Sequence, residues 1–469
     1  MRLVRGFLPL FLCVSSIALA CSSADEPRSS TPPDDRDASP PPPPPPLEPP
    51  PDAGTPDVAT PPAGLASRPA VECTEKPCYV AVSGTGSEHY CGLLDDGTVR
   101  CWGRDTRLRG ETDPDSGAPV ADGALGRGRI VTVVEGATPQ PVAGGLANVT
   151  QISVGANLGT CALTSDGSVY CWGRNEFAQL GKPLTEPRVP VPTRVEGLPP
   201  ASKIALGSTL GCAIAKAGGA LWCWGTQNTR TGPNLLSPGP SVTFVPQVMS
   251  AFRAPVQDIA IGAVPAASGS NPNAPIPYQD TIVALLDDGV LASVGELPAG
   301  PTSYQELYSP VPIEVPGVLR IGTYAYLGAD GIVSRWVPTR QALYVANAPN
   351  VVDVAIAAGR VRGSGTSVNR LVVYAEQGGM LLGDGRLFRW GRNTAGALGY
   401  PPDALDLVEE PMDVSHVAGK RVVSFAMTPA STCVSLVDGK IKCWGSNQRG
   451  ELGRGTVDYE HHPEAEVIR

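Results

Sequence analysis

The sequence predicts an all-β protein built as a closed ring of seven hairpin-centred repeats. A phrase running from one cysteine through Asp-Gly to Cys-Trp-Gly occurs at Cys91 to Gly103, Cys161 to Gly173 and Cys433 to Gly445, and with Gly-Gly in place of Asp-Gly at Cys212 to Gly225. Counting Asp-Gly or Gly-Gly at 96, 166, 218, 288, 330, 384 and 438 gives seven units, most of them some 50 to 70 residues apart, and a repeated supersecondary unit fixes architecture before any single residue is interpreted. The 54 glycines and 50 prolines of the 469-residue chain fit short strands and many turns, and no segment reads as a clear helix.

Each phrase reads as a β-hairpin, because two apolar runs flank a Gly that can take the positive φ of a tight loop. A three-residue loop at Asp95-Asp96-Gly97 sets Leu94 opposite Thr98, Leu93 opposite Val99 and Cys91 opposite Cys101. With Leu94/Thr98 as the hydrogen-bonded closing pair, alternation makes Cys91 and Cys101 a non-hydrogen-bonded pair, where side chains come closest. That separation suits a disulfide. The count holds for Cys161 with Cys171 and for Cys433 with Cys443, and a four-residue loop at Lys216 to Gly219 absorbs the extra residue between Cys212 and Cys223.

Three degenerate copies lose both cysteines together, with Val283/Ser293, Ala325/Arg335 and Gly379/Arg389 in their place. Joint loss favours disulfides over the alternative of buried free thiols. A ten-residue loop closed in this way contributes on the order of 2–3 kcal/mol in the chain-entropy picture.

A second signature follows several hairpins: Trp172-Gly173-Arg174-Asn175 leads to Gln179-Leu180-Gly181, Trp390 to Asn393 leads to Ala397-Leu398-Gly399, and Trp444 to Asn447 leads to Glu451-Leu452-Gly453. Alternating strands such as Ile152-Ser153-Val154-Gly155 and Ile204-Ala205-Leu206-Gly207 precede the hairpins. The combination resembles the regulator-of-chromosome-condensation repeat over about 390 residues. That resemblance implies a seven-bladed β-propeller. Typical repeats begin on a Pro-containing strand, as in Pro192 to Val195 or Pro411 to Val414, whereas the first begins abruptly near Cys78-Tyr79-Val80 and the chain ends on an unmatched Pro463 to Ile468. The C-terminal strand is therefore expected to complete the first blade and close the ring, removing a free edge.

Arg2 and Arg5 precede the apolar run Phe7 to Leu19 and the order Ala18-Leu19-Ala20-Cys21, so residues 1–20 read as a secretory signal. Cys21 at the first mature position resembles a bacterial lipoprotein acceptor, although Ala18 stands where that pattern favours Leu; cleavage at Ala-x-Ala with an unmodified Cys21 is the alternative. Of twelve cysteines, Cys13 leaves with the signal, the pair Cys73 and Cys78 and the four hairpin pairs account for ten, and Cys21 remains for lipidation. Residues 21–72 read as a lipidated terminus and disordered Pro-rich linker, including seven consecutive prolines from Pro40 to Pro46, and residues 73–469 as the propeller. The expected location is the bacterial cell envelope, reached through export, with membrane contact through the lipid alone.

With 36 basic against 45 acidic residues, the chain is a poor match for a nucleic-acid backbone. The four histidines, His89, His416, His461 and His462, lack metal-ligand spacing. No matching acid or nucleophile elbow accompanies Ser87-Glu88-His89, which reads as a surface loop. Adjacent His461 and His462 would point to opposite faces of a strand, and the Asp-Gly steps read as turns rather than calcium ligands. No catalytic, metal or cofactor residue is assigned. Trp102, Trp172, Trp224, Trp336, Trp390 and Trp444 hold one register and read as blade packing, while Trp222 falls on the other face and is the better candidate for exposure.

Gly262 to Asp280 and Ala357 to Arg370 are inserted at the same point of two repeats, before strands read at Thr281 and Leu371. Equivalent connections emerge on one face of a propeller, so these segments mark a candidate binding face. The sixth repeat aligns in two ways, because a turn over Glu376 to Gly379 would form a second hairpin. The founder of the repeat family activates a small GTPase, a partner that an exported chain does not meet, whereas exported bacterial relatives include a β-lactamase inhibitor that presents one propeller face to another protein. The leading expectation is a non-catalytic scaffold binding a protein on one face. A carbohydrate- or cell-wall-binding module is the runner-up, and an enzyme with its site at the channel comes third.

Overall fold

The structure is a computed structural model that describes residues 66–86, 89–105, 123–129, 131–226, 242–265, 278–297, 307–322, 325–329, 331–335, 351–357 and 377–468. The chain divides into the units Met1–Ala59 and Thr60–Arg469, and all described residues belong to the second. Cys21, the signal, most of the linker and Trp336 lie outside them.

Seven antiparallel sheets follow one another along the chain, each ordered in space as in sequence. The first holds β1 (Tyr79–Thr85), β2 (His89–Leu94), β3 (Val99–Gly103) and β4 (Gln140–Pro141), and the second β5 (Val149–Val154), β6 (Gly159–Thr164), β7 (Val169–Arg174) and β8 (Arg188–Arg194). The third comprises β9 (Ala201–Leu206), β10 (Leu210–Ala215), β11 (Leu221–Thr226) and β12 (Val242–Val248), and the fourth β13 (Val256–Pro265), β14 (Tyr278–Leu286), β15 (Leu291–Leu297) and β16 (Leu307–Val315). The fifth has three strands among the described residues, β17 (Val318–Gly322), β18 (Ala325–Gly328) and β19 (Val333–Arg335). The sixth holds β20 (Val351–Ala357), β21 (Gln377–Leu382), β22 (Leu387–Arg392) and β23 (Leu407–Asp413), and the seventh β24 (Val422–Met427), β25 (Ser431–Leu436), β26 (Ile441–Ser446) and β27 (His461–Val467).

The first strands form the inner ring: β1 lies beside β5, β5 beside β9, β9 beside β13, β13 beside β17, β17 beside β20, and β24 contacts both β21 and β1. The molecule is thus a seven-bladed β-propeller. Its closure differs from the expectation, because β27 pairs with β26 in the seventh blade and β4 supplies the first blade's own outer strand. The Pro-containing strands read as the start of each repeat are β8 and β23, the outer strands of the blades before. The two-residue strand β4, Gln140–Pro141, carries no alternation from which a sequence reading would recognise it.

The hairpins follow the loop count. Leu93 pairs with Val99 and Cys91 with Cys101, Leu94 N–H donates to the Thr98 carbonyl at 3.0 Å, and Asp96 Oδ1 accepts from Thr98 N–H at 2.9 Å. Cys161 pairs with Cys171 and Cys433 with Cys443 at the same register. Cys212 faces Cys223 across the longer loop, which closes on Ala215 N–H to the Ala220 carbonyl at 2.9 Å. Each of these pairs is a disulfide: Cys91 is bonded to Cys101, Cys161 to Cys171, Cys212 to Cys223 and Cys433 to Cys443, with Cα–Cα of 4.1–4.2 Å, the close spacing of a non-hydrogen-bonded site. Cys73 is bonded to Cys78. All ten cysteines are thus paired in the structure; the joint losses in the degenerate copies bear on the eight of the hairpins.

In the sixth blade Gly379 faces Arg389 at the register of the cystines. The buried Arg389 guanidinium fills the vacated space and donates to the Gly378 carbonyl (3.0 Å), Gln377 Oε1 (2.9 Å) and Thr432 Oγ1. Burial lowers its pKa to about 10.

Blades are joined through the tryptophans. Trp172 Nε1–H donates to the Ala124 carbonyl of the preceding blade at 3.1 Å, Trp224 to Gln179 at 2.8 Å and Trp444 to Ala397 at 2.9 Å, while Trp102 closes the ring on Glu451 of the seventh blade at 2.9 Å. These four indoles are at most 1% exposed. Each acceptor directly precedes a leucine whose N–H is held by the second signature: Leu180 by Asn175 Oδ1 (3.0 Å), Leu398 by Asn393 (2.9 Å), Leu452 by Asn447 (3.3 Å) and, in the first blade, Leu125 by Asp105 (2.9 Å). The glycine after each Trp turns the chain into that loop. At Gly173 φ is +106° and a Cβ would lie 2.1 Å from the Leu158 carbonyl oxygen, so no other residue fits. Trp222 is half-buried, in keeping with its opposite register.

His89, read from the sequence as part of a surface loop, is buried in β2 beside Tyr90 because the strand starts two residues earlier than the loop reading allowed. The imidazole Nε2 lies 2.9 Å from Thr160 Oγ1 of the next blade. Burial, helped by the Arg104 charge, lowers its pKa from 6.5 to about 3, so it is neutral in the native state.

Replacing Trp224 by Phe removes an indole donor and opens a cavity between the second and third blades, which should cost about 2–4 kcal/mol in urea unfolding; Trp222→Phe should cost under about 1 kcal/mol. Val283 and Ser293 face each other at the register of the cystines, so Val283→Cys with Ser293→Cys should oxidise spontaneously and raise stability by about 2 kcal/mol, as thiol titration and melting would register. The His89 shift has a definite sign: above pH 6.5 neither state binds the proton, and below it the unfolded chain alone does, so stability is lost as pH falls from 6.5 towards 3. Between pH 7 and 5 this amounts to on the order of 2 kcal/mol, a slope that His89→Gln should remove.

Candidate functional site at the channel mouth

Every inner strand carries a register shift near its start. Such a bulge re-aims the side chain that follows it, and the seven residues so placed are Ala81, Gln151, Lys203, Asp258, Arg320, Asp353 and Ser424. They encircle one end of the central channel. Where the residue is polar and uncharged it satisfies the edge of the next inner strand: Ser424 Oγ accepts from Val82 N–H at 3.0 Å, and Gln151 accepts from Ile204 N–H at 3.0 Å while donating to its carbonyl at 2.9 Å. One step further along, Ser83 and Ser153 accept from Val154 and Leu206 N–H groups at 3.1 and 3.0 Å.

From the third to the sixth blade the same position is charged with alternating sign, and Lys203 Nζ pairs with Asp258. Arg320 and Asp353 are instead engaged by the chain just before the propeller: Arg320 donates to the Ala66 carbonyl at 2.6 Å, and Arg68 pairs with Asp353 at 2.6 Å. Ala66 to Arg68, these four charged residues, Ile321 and Val352 enclose a polar cavity of about 220 Å³. Residues 66–72, read from the sequence as the end of the free linker, therefore lie against the ring. No signature marks the mouth residues individually. Their signal is positional, a polar residue directly before the apolar one in Gln151-Ile152, Lys203-Ile204, Asp258-Ile259, Arg320-Ile321 and Asp353-Val354.

The inserted connections leave from the far ends of β13 and β20, on the face opposite the mouth. The hairpin of β13 and β14 extends four pairs beyond Ile261, through Gly262/Thr281, Ala263/Asp280 and Val264/Gln279 to Pro265/Tyr278, so only 266–277 of the insertion read at 262–280 lie outside the described residues. Asp280 serves the fold. Its buried carboxylate accepts from the N–H groups of Ser208 (3.0 Å), Thr209 (2.7 Å) and Leu210 (2.9 Å), capping the neighbouring blade's turn, and burial raises its pKa against these donors. In the sixth blade Ala357 pairs with Gln377, and Gln377, Gly378 and Gly379 lie within the strand Gln377–Leu382 rather than in a turn; the strand start read at Leu371 lies outside the described residues. Residues 358–376 lie outside the described residues.

The remaining histidines are tied locally. His462 Nε2 meets Asp458 at 2.7 Å and its Nδ1 meets Arg454 at 2.8 Å, His461 is exposed, and the His416 ring centroid lies 5.3 Å from that of Tyr400. Among the described residues the one cluster with metal-ligand proximity is Cys73, Cys78 and Asp95, where the two sulfurs are bonded to each other and Asp95 accepts from Cys78 N–H at 2.9 Å. No helix of the described residues is long and apolar enough to cross a membrane.

Comparison with known proteins agrees with this architecture. A family profile described as the regulator of chromosome condensation (RCC1) repeat matches residues 166–214 and 384–434, and a second profile of the same repeat matches 79–107 and 149–179. The RCC1-like G exchanging factor-like protein of Mus musculus is 35% identical over 170 residues, 35% of this chain and 31% of that protein. The E3 ubiquitin-protein ligase HERC2 of Homo sapiens is 27% identical over 311 residues, 64% of this chain and 5% of the ligase. The chain thus spans less than a third of the length of either relative. Among solved structures, Prp20p from Saccharomyces cerevisiae superposes with a TM-score of 0.61 at 17% identity, covering 80% of this chain and 87% of Prp20p, and human WBSCR16 with 0.55 at 17%, covering 80% and 94%. At that identity the likeness is one of fold. The matched segments are regulator of chromosome condensation repeats, carried on a seven-bladed β-propeller.

Proposed function

We propose that the protein is a non-catalytic binding scaffold, exported and lipid-anchored through Cys21 in the bacterial cell envelope, that presents the face opposite the channel mouth to a protein partner. The observation that carries this reading is the fourth-blade hairpin, whose strands of ten and nine residues project beyond the six-residue strands β5 and β6 at the equivalent place. The sixth-blade insertion leaves from the same face. A rigid ring with extended connections on one side is the usual arrangement of a recognition surface. Prp20p, which shares this fold, is a protein with binding properties to Gsp1p and histones and, as yeast RCC1, is also seen bound to Kap60. The five cystines favour an oxidising compartment, and the order Ala18-Leu19-Ala20-Cys21 supports the anchor.

Pro265 pairs with Tyr278 and Ala357 with Gln377, so an Asn-Gly turn can replace 266–277 and 358–376 without disturbing either hairpin. In the full chain this double replacement should lower capture of the cell-surface partner by about tenfold or more, with the unfolding midpoint unchanged. Undiminished capture would show that the partner binds elsewhere.

A further inference from the structure

We propose that the channel mouth is a binding site for an extended, arginine-bearing peptide, filled in this chain by its own residues Ala66 to Glu72. The described strands are formed without this segment, since the first starts at Tyr79. It adds no strand to any sheet. Its contacts are nonetheless those of a bound peptide: main chain held at two points and side chains read at two others, the general manner in which extended segments are recognised.

The Ala66 carbonyl accepts from Arg320 and the Glu72 N–H donates to the Val437 carbonyl, both at 2.6 Å. Between them Arg68 reaches Asp353, and Ala66 packs against the apolar cluster that contains Val352. Proline at 69 fixes φ and favours an extended residue before it. Beyond Glu72 the segment is secured by Thr74 Oγ1 to the Asp438 carbonyl at 3.3 Å and by the Cys73–Cys78 bond. The charges of the mouth fit this occupant. Lys203 already neutralises Asp258, which leaves Asp353 as the carboxylate that selects a cation and Arg320 as the donor that selects a carbonyl. The cavity of about 220 Å³ beside Ser67 leaves room for a larger side chain there than this segment supplies. The site takes a peptide with a small apolar residue two positions before an arginine, and the covalently attached copy occupies it at high effective concentration.

The test uses the full chain with residues 66–72 replaced by a Gly-Ser run of equal length, and a labelled peptide Ala-Ser-Arg-Pro-Ala-Val-Glu as the probe in fluorescence anisotropy. Saturable binding to the replaced chain, at least about tenfold weaker binding to the unaltered one, and loss of binding when the peptide arginine becomes glutamate are expected. Asp353→Lys should restore the glutamate peptide. A replaced chain that is folded by circular dichroism and binds no peptide, or that binds the arginine and glutamate peptides alike, overturns the proposal. Should the replaced chain not fold, hydrogen exchange of the unaltered sequence decides: Asp353→Lys should speed exchange of the Glu72 amide by about tenfold, and Arg68→Glu in the same chain should reverse it. An unchanged Glu72 rate overturns the site.

Discussion

The hydrogen bond from an indole N–H of one blade to a backbone carbonyl of the blade before it is the contact on which the ring depends. A propeller blade buries both faces against neighbours, and apolar packing alone has no direction that would fix how far one blade slides past the next. The indole supplies that direction in four blades, because a buried Trp N–H usually pairs with an acceptor; Trp390 of the sixth blade is buried with no acceptor for its Nε1 among the described residues. The acceptor is itself held: Asn175, Asn393, Asn447 and Asp105 each grip the leucine N–H that follows it. The same bond, from Trp102 to Glu451, joins the last blade to the first without any exchange of strands.

The inner edge poses the opposite problem, since the first strand of each blade turns an unpaired rim of backbone towards the channel. In the first, second and seventh blades serine and glutamine answer it by accepting from the next strand. In the third to sixth blades charged residues occupy that rim, a part of the ring where the edge is left to other partners. The docking of residues 66–68 on Arg320 and Asp353 follows from that change of residue type.

The hairpins are legible in the sequence because Asp-Gly fixes loop length and the cysteine spacing then fixes register, from Cys161 and Cys171 to Cys433 and Cys443 and even across the longer loop before Cys223. The seven units are legible for the same reason. The phase of the ring is not, since the short strand Gln140–Pro141 has no alternation and leaves the first blade without a recognisable outer strand. His89 is misread because a polar residue at a strand start looks like loop until Thr160 of the next blade is set against it. The mouth residues escape notice because the bulge before each of them breaks the period-2 alternation by which inward and outward positions are told apart. Residues 66–72 hold one proline and no alternating apolar pattern, and such a composition does not distinguish a docked extended segment from a free one.

Every hairpin cystine joins a cysteine to the next one along the chain, and every blade is one uninterrupted stretch of sequence. Such a chain can assemble vectorially. As it emerges amino-terminus first, each pair of thiols meets before the following pair exists, so the order of synthesis itself selects the native partners from the many connectivities that ten cysteines allow. A ring completed by strand exchange would have to keep its first sheet waiting for its last residue. This one can finish each sheet in turn and leave a single side-by-side docking, Trp102 against the seventh blade, as its final event.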